Sequence, residues 1–192
     1  MLKKSLVVGA LSLTALLATG VASAQNVYVG GTVGQSKWHD DCGTLTKCDT
    51  KGTAFKVIGG YNFNKNFAFE TSLFSLGKIN ASLPLANAIA GAEVKGGGID
   101  FSGVAKVDFT DDFGGFAKLG VSRTTTTAKG TYANNTLFSQ DSTTTQPIGA
   151  LGLTYKVAKD WALRGEFETR RVKLGTEKEN VNTFSVGMQY SF

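Results

Sequence analysis

The sequence predicts an all-β protein, an eight-stranded antiparallel up-and-down transmembrane β-barrel preceded by a cleaved signal peptide. Three observations carry this expectation. Apolar and polar residues alternate over eight separate segments. The links between them are alternately tight and long. Aromatic residues gather beside the tight turns.

The opening stretch MLKKSLVVGALSLTALLATGVASA has a basic start at Lys3 and Lys4, then an apolar run from Leu6 to Ala18. Ala22-Ser23-Ala24 reads as a small-x-small cleavage site, with Gln25 as the mature start. The run is short of the ~20 apolar residues that a membrane-spanning helix needs. Residues 1–24 are therefore expected to be a targeting segment, and residues 25–192 the barrel domain. Removing 24 residues from 192 leaves 168, one ordinary domain, and lowers the net charge from +5 to +3. That balance, without a Lys/Arg-rich run, gives no reason to expect a nucleic-acid partner. Glycine is abundant (24) and scattered while proline is rare (2), which suits strongly curved sheet.

The strands are justified in order by their alternating apolar sets. Val27, Val29 and Val33 define a strand over about 27–36, and Phe55, Val57 and Tyr61 one over 53–63. Phe67, Phe69 and Leu73 define 66–76, and Ile99, Phe101, Ala105 and Val107 define 98–109. Leu119 and Val121 mark 113–124, and Leu151, Leu153 and Tyr155 mark 146–157. Leu163 and Phe167 mark 161–171, and Phe184, Val186 and Met188 mark 182–192. The tight links are NKN (64–66), TDD (110–112) and AKD (158–160), whereas 37–52, 77–97 and 125–145 are long and 172–181 is a shorter link of the same set. Sorting of this kind puts turns on the periplasmic side and loops outside the cell. The segment LPLANAIAGAEV (83–94) is expected to be a loop with a short helical turn, and the threonine tracts 124–127 and 143–145 to extend strands beyond the membrane.

Phe63 and Phe67, Phe109 and Phe113, and Tyr155 and Trp161 bracket the three tight turns, which reads as an interfacial aromatic belt. The face opposite the apolar sets carries Lys56, Glu70, Asp100, Lys106, Asp108, Lys118, Lys156, Arg164, Glu166, Glu168 and Arg170. A soluble lipocalin-like barrel would turn that face to water. The belt, the sorted loops and the apolar final strand favour a membrane, where one lipid-facing Lys or Arg at mid-bilayer costs ~2–4 kcal/mol. The charges then belong in the lumen, and Lys56, Glu70, Asp100, Lys106, Lys118, Arg164 and Glu166 are expected to form an ionic network. Such a network acts as a plug, or alternatively as a narrow ion path.

Both cysteines lie in DDCGTLTKCD, and in an exported chain Cys42 and Cys48 read as a disulfide. A metal site is disfavoured because the chain has one histidine and no second cysteine pair, and no cofactor is expected. That histidine, His39, stands beside Asp40 and Asp41 with Ser36 nearby. A lipid-modifying enzyme would need a nucleophile, base and orienting group in reach of one another, so His39 reads as a solvated loop residue and the protein as a non-enzyme.

VYVGGTVGQSKW, DTKGTAFKVIGGYNFNKNFAFE, FGGFAKLGVSR, IGALGLTYKVAKDWALRGEFETRRV and TFSVGMQYSF, in this order and spacing, resemble the OmpA-like transmembrane domain superfamily, and within it the small single-barrel outer-membrane proteins. The resemblance implies an outer-membrane location in a Gram-negative-type envelope, periplasmic termini, surface loops and no catalytic site. Its inward acids and bases would fall on Glu70, Lys118, Arg164 and Glu166. Longer relatives continue into a peptidoglycan-binding domain, whereas this chain stops at Phe192, so cell-wall anchoring is not expected. The partners expected are outer-membrane lipid, the assembly machinery, and a host or surface ligand at the loops.

The resemblance also implies that Phe184, Val186, Met188, Tyr190 and Phe192 are the signal read by that machinery. Deleting Phe192 should then lower the amount of protein inserted in the outer membrane of cells. The purified truncation should still refold in detergent, giving a band whose gel mobility changes on boiling. Normal insertion of the truncation in cells would leave the residue only its place in the last strand.

Overall fold

The computed structural model describes residues 26–38, 47–48, 51–85, 88–132, 135–174 and 177–192. Residues 1–24, Cys42 with its expected disulfide to Cys48, and His39 lie outside what it describes. The described strands are β1 (Val27–Trp38), β2 (Lys47–Cys48), β3 (Lys51–Asn62), β4 (Phe67–Leu85), β5 (Ala88–Asp108), β6 (Phe113–Tyr132), β7 (Asn135–Lys156), β8 (Trp161–Leu174) and β9 (Glu177–Ser191).

All pairings are antiparallel, and the order β1-β3-β4-β5-β6-β7-β8-β9 returns to β1, closing an eight-stranded up-and-down barrel. Closure runs from Tyr28↔Ser191 to Trp38↔Val181 and is completed by the Phe192 N–H donating to the Val27 carbonyl at 3.0 Å. A closed ring has no strand edge with unsatisfied backbone groups, which hydrocarbon would not tolerate. The short β2 pairs with Ser82 and Ala81 of β4, on the edge that β4 gives to β3 lower down.

The three tight turns share one construction. The N–H of Phe63, Phe109 and Val157 each donates to the carbonyl four residues on, at 2.9–3.0 Å. In the first turn Asn64 Oδ1 accepts from the N–H groups of Asn66 (2.9 Å) and Phe67 (2.8 Å). In the second, Thr110 Oγ1 accepts from the Phe113 N–H at 3.0 Å. Side chains that complete a turn in this way explain why so few residues suffice.

The opposite end differs from the loops read in the sequence. The links 77–97, 125–145 and 172–181 are mostly strand, and β4 to β7 run 19, 21, 20 and 22 residues where ~9–11 would cross the membrane. LPLANAIAGAEV is not a loop with a helical turn. Leu83↔Ala90, Pro84↔Ile89 and Leu85↔Ala88 continue the β4–β5 ladder. The segment has no strong alternation of its own, but a ladder already formed below it supplies partners for each new backbone group. The threonine tracts are strand, with Thr125 and Thr143 in register and their hydroxyls 2.9 Å apart.

One irregularity separates the two levels. Between Ser75 and Lys78 the β4–β5 register shifts, and Gly77 takes φ +73°, a left-handed conformation that favours glycine. Its consequence is that Leu76 and Ile79, three residues apart, both point inward and are buried.

Candidate functional site

The apolar sets face outward. Val33, Phe55, Val57, Leu73, Leu119, Leu151, Phe167, Phe184 and Val186 are all exposed, and no charged residue stands among them. Phe63, Phe67, Phe109, Phe113, Tyr155 and Trp161 ring the turn end with their side chains exposed. Phe109 packs on Phe113 at 5.5 Å and Trp161 on Tyr190 at 5.0 Å, and Tyr190 meets Phe192 at 4.9 Å. On β9, Phe184, Met188 and Phe192 are exposed outward while Ser185 is buried in the lumen.

Inside, eight charged side chains from five strands form one continuous chain. Asp100 pairs with Arg170 at 3.1 Å, and Arg170 with Glu168. Lys56 then bridges Glu168 (2.5 Å) and Glu166 (2.6 Å). Glu166 also meets Lys118 (2.9 Å) and Arg164 (2.8 Å), and both of these reach Glu70 at 2.6 and 2.9 Å. The chain holds four acids and four bases, so its charges cancel, and every member is buried. Neutral donors and acceptors fill further positions: Tyr28 donates to Glu70 at 3.0 Å, Ser72 to Asp100 at 3.1 Å, and Arg164 to Gln189 at 3.1 Å.

Six of the seven residues read from the sequence as lumen charges, Lys56, Glu70, Asp100, Lys118, Arg164 and Glu166, are brought together in this chain. Lys106 is not. It donates to Asn62 Oδ1 at 2.5 Å and lies 4.3 Å from the Tyr28 ring centre, nearer the turn end. Glu168 and Arg170 were missed as members, although they share the parity of Arg164 and Glu166 in RGEFETR, a signal that could have found them.

Apolar layers flank the chain on both sides. Towards the turns lie Tyr28, Ile58, Ala68, Val104 and Phe116, with the Arg164 guanidinium 4.2 Å from the Phe116 ring centre. Towards the hairpins lie Trp38, Phe74, Leu76, Ile79, Val172 and Val181, with Arg170 stacked 3.5 Å over Phe74. Guanidinium faces can seat on aromatic rings while their edges keep carboxylates, so one residue joins ionic and apolar layers. A vestibule of about 230 Å³ at the turn end, lined by Lys106, Asp108, Asp112, Lys156 and Asp160 among others, passes Val104 and Phe116 of the lower layer and reaches Arg164 and Gln189.

Two glycines make room for the lower layer. Tyr28 stands in register with Gly60, and Gly60 with Glu70, so the tyrosine crosses the vacant side-chain position to reach the acid. A Cβ on Gly60 would fall on the Tyr28 ring. Phe116 repeats the arrangement over Gly152, whose other neighbour is Glu166. In each row an aromatic ring lies over glycine beside a network carboxylate.

Gly60→Ala should therefore destabilise the barrel by ~1–3 kcal/mol, since Tyr28 is fully buried and has no free space to retreat into. Urea unfolding in phospholipid vesicles reads the effect. Glu166→Ala leaves three cations short of a partner and should cost ~3–5 kcal/mol in the same assay. Lys78→Ala, which removes an exposed pair with Glu93, should leave the midpoint unchanged.

No curated protein matches the chain by sequence. Among solved structures, Ail, the attachment invasion locus protein of Yersinia pestis, superposes with a TM-score of 0.60 at 16% identity, covering 88% of this chain and 99% of its own. Neisserial surface protein A gives 0.56 at 16%, covering 86% and 97%. The outer membrane protein OprG from Pseudomonas aeruginosa gives 0.55 at 16%, covering 88% and 97%. At such identities these likenesses speak for the fold. The model of the OmpA-like transmembrane domain matches residues 22–192, which include every strand of the barrel. An eight-stranded ring with an apolar exterior and a charge-paired interior fits that match, and the chain belongs to the OmpA-like transmembrane domain family of outer-membrane β-barrels.

Proposed function

We propose that this protein is a closed outer-membrane barrel that anchors and displays surface hairpins, with its turns in the periplasm and its long hairpins outside the cell. The observation that supports this reading is the neutral ionic chain, every member of it buried, with an apolar layer across the lumen towards the hairpins. A conducting lumen needs a continuous polar, wetted path, whereas here each network charge already holds a counter-charge, and a path that enters the vestibule as far as Arg164 meets that paired network and then the apolar layer towards the hairpins.

Display is favoured by the surplus strand length. The β4–β5 and β6–β7 hairpins continue well past the apolar band, so backbone-rigid sheet, rather than loose loop, meets whatever approaches the cell. Their partner would be a host or surface ligand. The named likenesses, a surface protein and an attachment invasion locus protein among them, point the same way and away from catalysis. During biogenesis the outward set ending in Phe192 would be what the assembly machinery reads.

Planar-bilayer recording tests the lumen. The purified, refolded barrel should insert without current steps. A steady single-channel conductance that Glu166→Ala alters would replace the plug by an ion path through the network.

A further inference from the structure

One cation of the lumen lacks what the others have. Each of the network's four cations holds two carboxylates: Lys56 takes Glu166 and Glu168, Lys118 and Arg164 both take Glu70 and Glu166, and Arg170 takes Asp100 and Glu168. Lys106 holds none among the described residues. Its ammonium donates to the Asn62 amide oxygen at 2.5 Å and lies 4.3 Å from the Tyr28 ring centre, and both of those partners are uncharged. Lys106 lines the turn-end vestibule and is half-buried there.

The mouth of the vestibule has the opposite sign. Asp108, Asp111, Asp112 and Asp160 line it against Lys156 and Lys159, an excess of acid. Lys156 donates to the Asp111 backbone carbonyl at 2.6 Å, which leaves the carboxylate beside it free of that cation. A positive group therefore sits deep and negative groups stand outside it. Lys106 and Asp108 are neighbours on one face of β5, about 7 Å apart by the strand repeat. The head of Lys106 leans deeper still, to Asn62, which stands level with Ala68 and Val104. That takes the separation towards about 13 Å, the rise of four strand residues.

We propose that the vestibule binds a short peptide of two or three residues, its terminal carboxylate on Lys106 and its terminal ammonium among the aspartates of the mouth. Charge sets the class of ligand. A monoanionic carboxylate supplies the one counter-charge that Lys106 lacks, whereas a dianionic phosphate would carry a second charge toward the mouth aspartates, which repel it. Length sets the size. A free amino acid carries both charges on one residue and cannot reach from the floor to the mouth. Two or three residues extend over roughly 7–11 Å at ~3.3–3.6 Å each. The cavity, about 230 Å³, is below the ~300–1,000 Å³ of sites for drug-sized ligands, as a small peptide requires. Val104 and Phe116 of the lower layer line it too and offer apolar contact to small side chains. Beyond Arg164 the paired network closes the way, so the site holds its ligand rather than passing it on. That the peptides come from the periplasm rests on the orientation given under Proposed function; the binding itself does not.

The test uses the mature chain, isotope-labelled and refolded in phosphatidylcholine nanodiscs, with backbone amide shifts followed by NMR. The probes are trialanine, its C-terminal amide, N-acetyl-trialanine, alanine and inorganic phosphate. Trialanine should shift the amides of Lys106 and Phe116 in a saturable way. Amidation of its carboxylate, or Lys106→Gln in the protein, should weaken binding about tenfold, the loss of a hydrogen bond to a charged group. Lys106→Arg should keep most of it. Acetylation of the peptide, or Asp108→Asn/Asp112→Asn, should weaken binding about threefold, as for an exposed ion pair. Lys106 lies outside the ionic network, and gel mobility before and after boiling verifies that each variant is folded. Equal binding of trialanine and its amide, or binding that Lys106→Gln leaves unchanged, overturns the proposal. So does alanine or phosphate binding as tightly as trialanine, which would make the vestibule a site for any small anion, and so does the absence of saturable shifts. External protease cutting the turns in whole cells would overturn the orientation instead, and the titration stands apart from that result.

Discussion

Glu166 is where the interior of this barrel is decided. Its carboxylate receives Lys56 from β3, Lys118 from β6 and Arg164 from its own strand, so cations from opposite sides of the ring meet on one acid. In hydrocarbon a strand can offer its charges only to the lumen, and in a lumen this narrow they can be satisfied only by one another. The requirement passes from residue to residue. Arg164 needs Glu70, Glu70 takes Lys118 and the Tyr28 hydroxyl, and Lys56 draws in Glu168, which holds Arg170 and through it Asp100. The glycine positions beneath Tyr28 and Phe116 follow from the same constraint, because the rings that shield the network must lie flat across neighbouring strands.

Much of this was legible in the primary structure, and what was not has physical reasons. The eight strands and their faces follow from period-two alternation, which is local and survives without tertiary knowledge. The tight turns were legible because Asn64 and Thr110 carry their own hydrogen-bond acceptors. The upper halves of the hairpins were not. Ala88, Ala90 and Ala92 carry no alternating pattern, and that stretch becomes strand because β4 and β6 flank it. Strand there is a property of neighbours rather than of the segment.

The lumen shows the same division. Parity placed the charges on one face, but partner choice depends on how far the sheet twists before it closes, so Lys106 fell away from the network and Arg170 joined it. The apolar layers were hidden for a different reason. Trp38, Phe74 and Phe116 share parity with the charges, and a face carrying both reads as polar until the ring closes and sorts it by height.

The bulge at Gly77 bears on how such a protein can change over generations. Below it, adding or removing one residue would exchange lipid-facing and lumen-facing side chains along the rest of the strand. The extra residue already resets that alternation once, just where β4 leaves the apolar band, so Leu76 and Ile79 share a face across it. The hairpin above is thereby out of phase with the frame below, and inheritance can lengthen, shorten or rewrite it by odd or even steps. Surface and anchor can diversify at different speeds within one uninterrupted sheet.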